Sequence, residues 1–190
     1  MQMKAWLRYT ICGVIGIALG GAASIQQIRT GALGSNRAIG PWTTGGDFGT
    51  VRASAYTRAV VALRGLLALP AHEARYYQAT TDSAGQPLDG KCRYRVSGGA
   101  LPTKWWSLTL YDHPGYLVAN QANRFSIAGS AVPNPASWTI NVAPAQQAGL
   151  WLPTGRIDRF ELTLRAYLPN DGGAGNFTRD QLPSIVKEGC

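Results

Sequence analysis

The sequence predicts a mainly β domain, a β-sandwich or jelly roll with one amphipathic helix, carried behind an N-terminal transmembrane helix. Trp105 to Asp112, WWSLTLYD, alternates with a period of two. Trp106, Leu108 and Leu110 fall on one face, and Trp105, Ser107, Thr109 and Tyr111 on the other. The pattern recurs in SWTINVAP (Ser137 to Pro144) and FELTLRAYLP (Phe160 to Pro169). The third observation is an uncharged run from Tyr9 to Gln27, preceded by Lys4 and Arg8.

Trp6 to Ile25 is about 20 residues, enough to cross a bilayer as one helix. Positive charge ahead of the run orients the N-terminus to the cytoplasm and exports the rest. A cleaved signal peptide stays open as the alternative, because Gly20, Gly21, Ala22 and Ala23 are the small residues a peptidase needs. Residues 1–28 are thus an anchor or signal segment, 29–49 a glycine-rich spacer, and 50–190 the domain. The chain has 18 Lys and Arg against 10 Asp and Glu, a net charge of +8. Such a surplus favours anionic partners such as lipid headgroups or acidic glycans, although clustered basic residues are ordinarily a solvated face. Export removes nucleic acid as a partner.

Cys12 lies inside the apolar run, and Cys92 and Cys190 lie in the exported part. Two cysteines in an oxidising compartment predict one disulfide, with unpaired thiols or an intermolecular bridge as the alternatives. Closing a loop of about 100 residues is valued at roughly 4–5 kcal/mol by the chain-entropy model. Two exported cysteines and two histidines, His72 and His113, give no metal-ligand spacing, and no cofactor is implied.

From Thr50 to Leu69 the apolar residues Val51, Ala55, Ala59, Leu63 and Leu66 recur near helical spacing, with Arg52, Arg58 and Arg64 on other faces. This predicts a helix capped by Asp47 or Ser54, ended by Pro70, and covering one side of a sheet. Arg75–Thr81 and Gly90–Val96 flank the turn-rich DSAGQPLDG and predict a hairpin with a long loop. In the second of these strands Lys91, Arg93 and Arg95 make a basic face, and Cys92, Tyr94 and Val96 point to the core. Further strands are expected at 105–112, 116–119, 124–128, 138–143, 160–168 and 184–187.

The polar faces of the three strongest strands, Ser107-Thr109-Tyr111, Ser137-Thr139-Asn141 and Glu161-Thr163-Arg165-Tyr167, form a sugar-binding platform if the strands are neighbours. Ordinary solvent-facing strand residues are the competing reading. The run Asn120-Gln121-Ala122-Asn123-Arg124 reads either as a rigid hydrogen-bonded corner or as part of a polar pocket built from Asp112, Asn120, Asn123 and Arg124 and walled by Trp151 and Pro153. Catalytic templates fail: there is no G-x-S-x-G elbow, no H-E-x-x-H and no phosphate-cradling glycine loop. No residue is assigned a catalytic role.

WWSLTLYD, GYLVANQANRFSI, WTINVAP, WLPTG and FELTLRAYLP, in this order, resemble the bacterial family catalogued as domain of unknown function 1214, from about Gly90 onward. The resemblance implies a jelly-roll sandwich, often fused to or encoded beside a sister domain catalogued as unknown function 1254. It implies a separately encoded sister partner and an inner-membrane location with the domain in the periplasm. It transfers no catalytic residues. Its motif positions coincide with Tyr111, Asp112, Asn120, Asn123, Arg124, Trp151, Pro153, Arg165 and Tyr167. The bland GSAVPNPAS replaces an acidic or glycine-rich stretch of longer members. Two functions are expected: an interaction or ligand-binding module, or an envelope enzyme acting on a glycan through Asp112 and Arg124.

Overall fold

A computed structural model describes residues 5–30, 36–45, 49–51, 53–63, 69–155 and 157–190. Two β-sheets face each other across a shared core, with one helix on the outer face of the larger sheet and a long helix at the N-terminus. The strands are β1 (Asn36–Ile39), β2 (Trp42–Gly45), β3 (Ala74–Ala79), β4 (Arg93–Gly98), β5 (Thr103–Asp112), β6 (Ser126–Ala128), β7 (Trp138–Ala143), β8 (Trp151–Pro153), β9 (Phe160–Pro169) and β10 (Ser184–Gly189). The helices are α1 (Ala5–Thr30) and α2 (Ala55–Leu63). One sheet has six strands in the order β1-β2-β3-β9-β5-β6, and the other has four in the order β10-β4-β7-β8.

The period-two patterns do what they predict. Trp106, Leu108 and Leu110 of β5 are buried, and they lie opposite Ala166, Leu164 and Leu162 of β9. The small Ala166 leaves room for the Trp106 indole. From the other sheet come Tyr94, Val96, Ile140, Val142 and Ile185, all at 0% exposure. Two aromatic pairs tie the layers: Trp106 stacks on Trp138 with centroids 4.7 Å apart, and Tyr94 meets Phe160 edge-on at 5.6 Å. A Cβ on Gly129 would lie 2.6 Å from Trp106 Nε1, and one on Gly98 would lie 2.5 Å from Trp138 Cζ2. The indole pair is thus gripped between two glycines, where any side chain would intrude.

Helix α2 starts where Ser54 accepts the Thr57 N–H on its hydroxyl, at 3.1 Å. It buries Thr57, Val60 and Val61, and Val61 packs on Ala74 and Tyr76 of β3. Burying such an apolar side chain stabilises by about 1.5–3 kcal/mol. The helix covers one side of a sheet as expected, but its buried stripe is not the predicted one: Val51 is fully exposed and Ala55 is exposed. The predicted stripe started one turn too early, before the Ser54 cap. The expected cap Asp47 and the helix residues Arg52, Arg64 and Leu66 lie outside the described residues.

Helix α1 carries a 22-residue segment, Ala5–Gln26, of mean hydropathy 1.4. At 1.5 Å per residue it is about 33 Å long, close to the ~30 Å hydrocarbon thickness of a bilayer. It is the one helix among the described residues long and apolar enough to cross a membrane.

Several expectations are corrected. Part of the expected spacer is sheet: β1 and β2 pair as a hairpin, β2 joins β3, and Trp42 is fully buried with its indole N–H donating to Pro183 O at 2.7 Å. The expected β3–β4 hairpin does not form, because the long connection carries the chain from one sheet to the other. Residues 116–119 make only the isolated bridge of Leu117 to Tyr111. Strand β8 was not expected; it lies parallel to β7.

Cys92 and Cys190 form the disulfide expected from the cysteine arithmetic, with Cys92 buried beneath β4. The basic face of β4 is also as read, but it is not free. Arg93 and Arg95 both pair with Glu188, and Lys91 Nζ lies 2.7 Å from Asp158. That hydrogen bond raises the Lys91 pKa and lowers that of Asp158.

Candidate functional site

The site is built at the end of the sandwich where β5 leaves the sheet. Asp112 closes the turn after β5: its carboxylate accepts the Tyr116 N–H at 2.6 Å and its backbone N–H donates to Tyr116 O at 2.9 Å. Gly115 sits in that turn at φ +95°, a conformation glycine adopts without steric cost.

Asn120 then organises the corner. Its amide nitrogen donates to Val118 O at 3.0 Å and to Arg124 O at 2.9 Å, while its amide oxygen accepts the Arg124 N–H at 3.0 Å. Asn123 follows in the left-handed region at φ 49°, which asparagine tolerates better than most residues. The corner directs the Arg124 side chain to β8, where its Nη1 donates to Trp151 O at 2.9 Å. Pro153, two residues on, has no N–H to offer. Arg124 and Pro153 together blunt the free edge of β8, the usual protection of an exposed strand edge.

Trp151 is pinned from the other side, its indole N–H donating to Ala143 O at 3.0 Å. Thr154 anchors the end of β8 through Oγ1 to Gly90 O at 2.6 Å. Between this wall and the loops lies a cleft of about 680 Å³, lined by Asn120, Gln121, Gln146, Trp151 and Pro153 together with Ala119, Ala122, Pro144, Ala145 and Gly155. Among the described residues its lining holds no ionisable side chain. Asn120 already uses both its amide groups, so the exposed amides free to meet a ligand are Gln121 and Gln146. A smaller hollow of about 230 Å³ adjoins it across Pro144 and Ala145, beside Lys91, Arg93 and Cys190.

The residues predicted for the site separate into three groups. Asn120 and Trp151 line the cleft, Pro153 walls it as expected, and Asn123 and Arg124 brace it. Asp112 holds its turn and makes no ion pair with Arg124 among the described residues, because the turn consumes the carboxylate on the backbone. Tyr111, Arg165 and Tyr167 lie elsewhere, on the outer face of the six-stranded sheet. There Arg165 donates to Thr109 Oγ1 at 3.1 Å and to the Tyr111 hydroxyl at 2.7 Å, and Tyr167 packs on Trp105 at 5.1 Å.

The expected platform is also divided. Strands β5 and β9 are neighbours, but β7 belongs to the other sheet. Ser107, Thr109 and Thr163 are buried rather than presented. Sequence reasoning missed Gln121, Pro144, Ala145 and Gln146; the signal was the polar loop PAQQAG set between two apolar strands.

The fold and site define a two-sheet β-sandwich, with an N-terminal helix of membrane-spanning length and, at one end, a cleft whose described lining residues are uncharged. The chain belongs to the family described as protein of unknown function (DUF1214), whose model matches residues 73–171, just over half of it. Among solved structures it is similar to the VPA0106 protein from Vibrio parahaemolyticus, at 20% identity and a TM-score of 0.57, over 98% of this chain and 46% of that one. An uncharacterised protein from Burkholderia cenocepacia matches at 18% identity and a TM-score of 0.44, over 60% of this chain and 30% of that one. The chain therefore spans less than half the length of the solved structures it matches. No curated protein matches it.

Proposed function

We propose that this chain is an inner-membrane-anchored, periplasm-facing binding module that holds a partner of the sister-domain type, with the end cleft receiving an uncharged segment of that partner. The observation carrying this reading is the cleft itself: sizeable, walled by Trp151 and Pro153, edged by exposed amides and, among the described residues, without an ionisable lining side chain. Binding without charge suits such a surface better than acid–base catalysis, which needs a titratable group at hydrogen-bond reach of substrate. The Vibrio protein supports the partnership indirectly, since this chain's fold makes up less than half of that longer chain. Lys4 and Arg8, ahead of the uncharged run from Tyr9 to Gln27, support the orientation.

A glycan ligand is the second reading, favoured by an indole beside the Gln121 and Gln146 amides. An envelope enzyme using Asp112 with Arg124 is the less favoured alternative, since Asp112 Oδ1 and Arg124 Nη1 are both engaged by backbone. The test is purification from the native membrane in mild detergent, with mass spectrometry of the intact chain and its companions. A stoichiometric sister-domain protein, lost from an otherwise folded Ala122→Arg variant, supports the module. A chain that elutes alone, and whose Trp fluorescence responds to N-acetylglucosamine oligomers, supports the glycan reading instead.

A further inference from the structure

The geometry points to a membrane-contact surface on the domain itself: we infer that Val51 and the first turn of α2 dock on the headgroup boundary of the bilayer that α1 crosses. This rests on the reading of α1 as a retained anchor. The Ser24 hydroxyl, on α1, lies 3.3 Å from the Tyr56 hydroxyl, on α2. Ser24 falls inside the apolar segment, which ends at Gln26. Two residues of helix are about 3 Å of rise, so Tyr56 meets α1 within ~3 Å of the segment's end. Tyrosine, an amphipathic ring, is favoured at the headgroup level, and here its hydroxyl meets that of Ser24.

The residues around Tyr56 suit the same boundary. Val51 is fully exposed, and nothing among the described residues covers this apolar side chain. Ala55 is exposed, Tyr56 is 36% exposed, and Arg58 is exposed one residue beyond Thr57. Thr57, Val60 and Val61 face the sheet, so the helix presents an inner face to the domain and an outer corner away from it. Tyr56 and Arg58, two residues apart at about 100° per residue, flank the outer side of the helix on opposite sides and suit lipid boundary and phosphate respectively. Beyond Lys4 and Arg8 the chain carries 16 Lys and Arg against 10 Asp and Glu, a net +6 that acts in the same sense on anionic headgroups. The docking fixes orientation: α2 lies on the six-stranded sheet, so the outer face of the four-stranded sheet points away from the membrane.

The experiment uses the full chain with Cys12→Ala, reconstituted in phosphatidylcholine–phosphatidylglycerol vesicles. A bimane label is placed at Val51→Cys or, as control, at Val186→Cys on the outer face of the four-stranded sheet, where Val186 is 50% exposed. Lipids carrying a shallow nitroxide should quench the Val51 label several-fold more than the Val186 label. Tyr56→Glu should bring the two together while the protein still floats with the vesicles. Equal quenching in protein that floats after a carbonate wash overturns the docking and leaves the anchor standing. Protein that does not float overturns the anchor, and the docking with it.

Discussion

Replacing Gly129 by alanine tests how the two sheets are locked together. The new Cβ would lie 2.6 Å from Trp106 Nε1, 2.8 Å from Cε2 and 2.9 Å from Cδ1. Carbon contacts are comfortable at about 3.5–4.0 Å, so the ring must retreat by close to ~1 Å. It has no slack, because Trp138 stacks on it at 4.7 Å and Gly98 leaves Trp138 none in turn. The backbone at Gly129 is not left-handed, so the penalty is steric rather than conformational. Overpacking of this kind costs about 1–3 kcal/mol. In a domain of this size each kcal/mol moves Tm by ~2–4 °C, so Tm should fall by about 2–12 °C. Urea unfolding followed by tryptophan fluorescence measures the cost. Trp106→Leu removes the obstacle, and in that background Gly129→Ala should be nearly neutral, a coupling a double-mutant cycle reads directly. The same cost with and without the ring would refute the clamp.

Three other outcomes are expected. Cys190→Ser opens a disulfide spanning 98 residues and should lower stability by up to roughly 4–5 kcal/mol, as judged by denaturant midpoint against the oxidised wild type, while the reduced wild type should match the variant. Burial raises Tyr76, Tyr77 and Tyr94 above the ordinary tyrosine value of 10.0, so above that pH the unfolded chain ionises first and binds fewer protons. Stability should therefore be unaffected by these groups below pH 10 and fall as pH rises past it; a flat alkaline melting profile would contradict this. Asn120→Ala strips three hydrogen bonds from the corner and should cost about 1–3 kcal/mol with the cleft distorted, whereas Gln121→Ala should leave the melting temperature unchanged.

The sequence was most readable where a single strand fully declares itself. In β5, β7 and β9 each residue's face follows from its parity, and the core residues fall where alternation puts them. Strands β1 and β2 escaped because NRAI and WTTG are too short to show alternation, and their surrounding glycines read as a linker. The mistaken β3–β4 hairpin has another cause. A turn-rich loop signals that the chain reverses, but not whether it reverses within a sheet or between two. Asp112 and Arg124 failed as a pair for a related reason. Residue type said that each would find a partner, yet backbone groups a few residues away were nearer to Asp112 than any side chain. The corner at Asn120 and the wall at Trp151 and Pro153 were legible because turn chemistry is local. The Gln146 side of the cleft was not, since it depends on β8 running parallel to β7.

The placement of β9 has a consequence for how the chain acquires its shape. It lies between β3 and β5, pairing with residues 74–79 on one side and 103–112 on the other. A chain emerging from its N-terminus therefore holds two apolar strands with nothing between them until residue 169 has followed. Each can pair early on its other edge, β3 with β2 and β5 with β6, but the two edges that face β9 stay open until then. Such deferred, long-range pairing places the domain among slow folders, on a scale of milliseconds to seconds. During that interval the edges of β3 and β5 are open to wrong partners, and a holding chaperone has its longest opportunity to act.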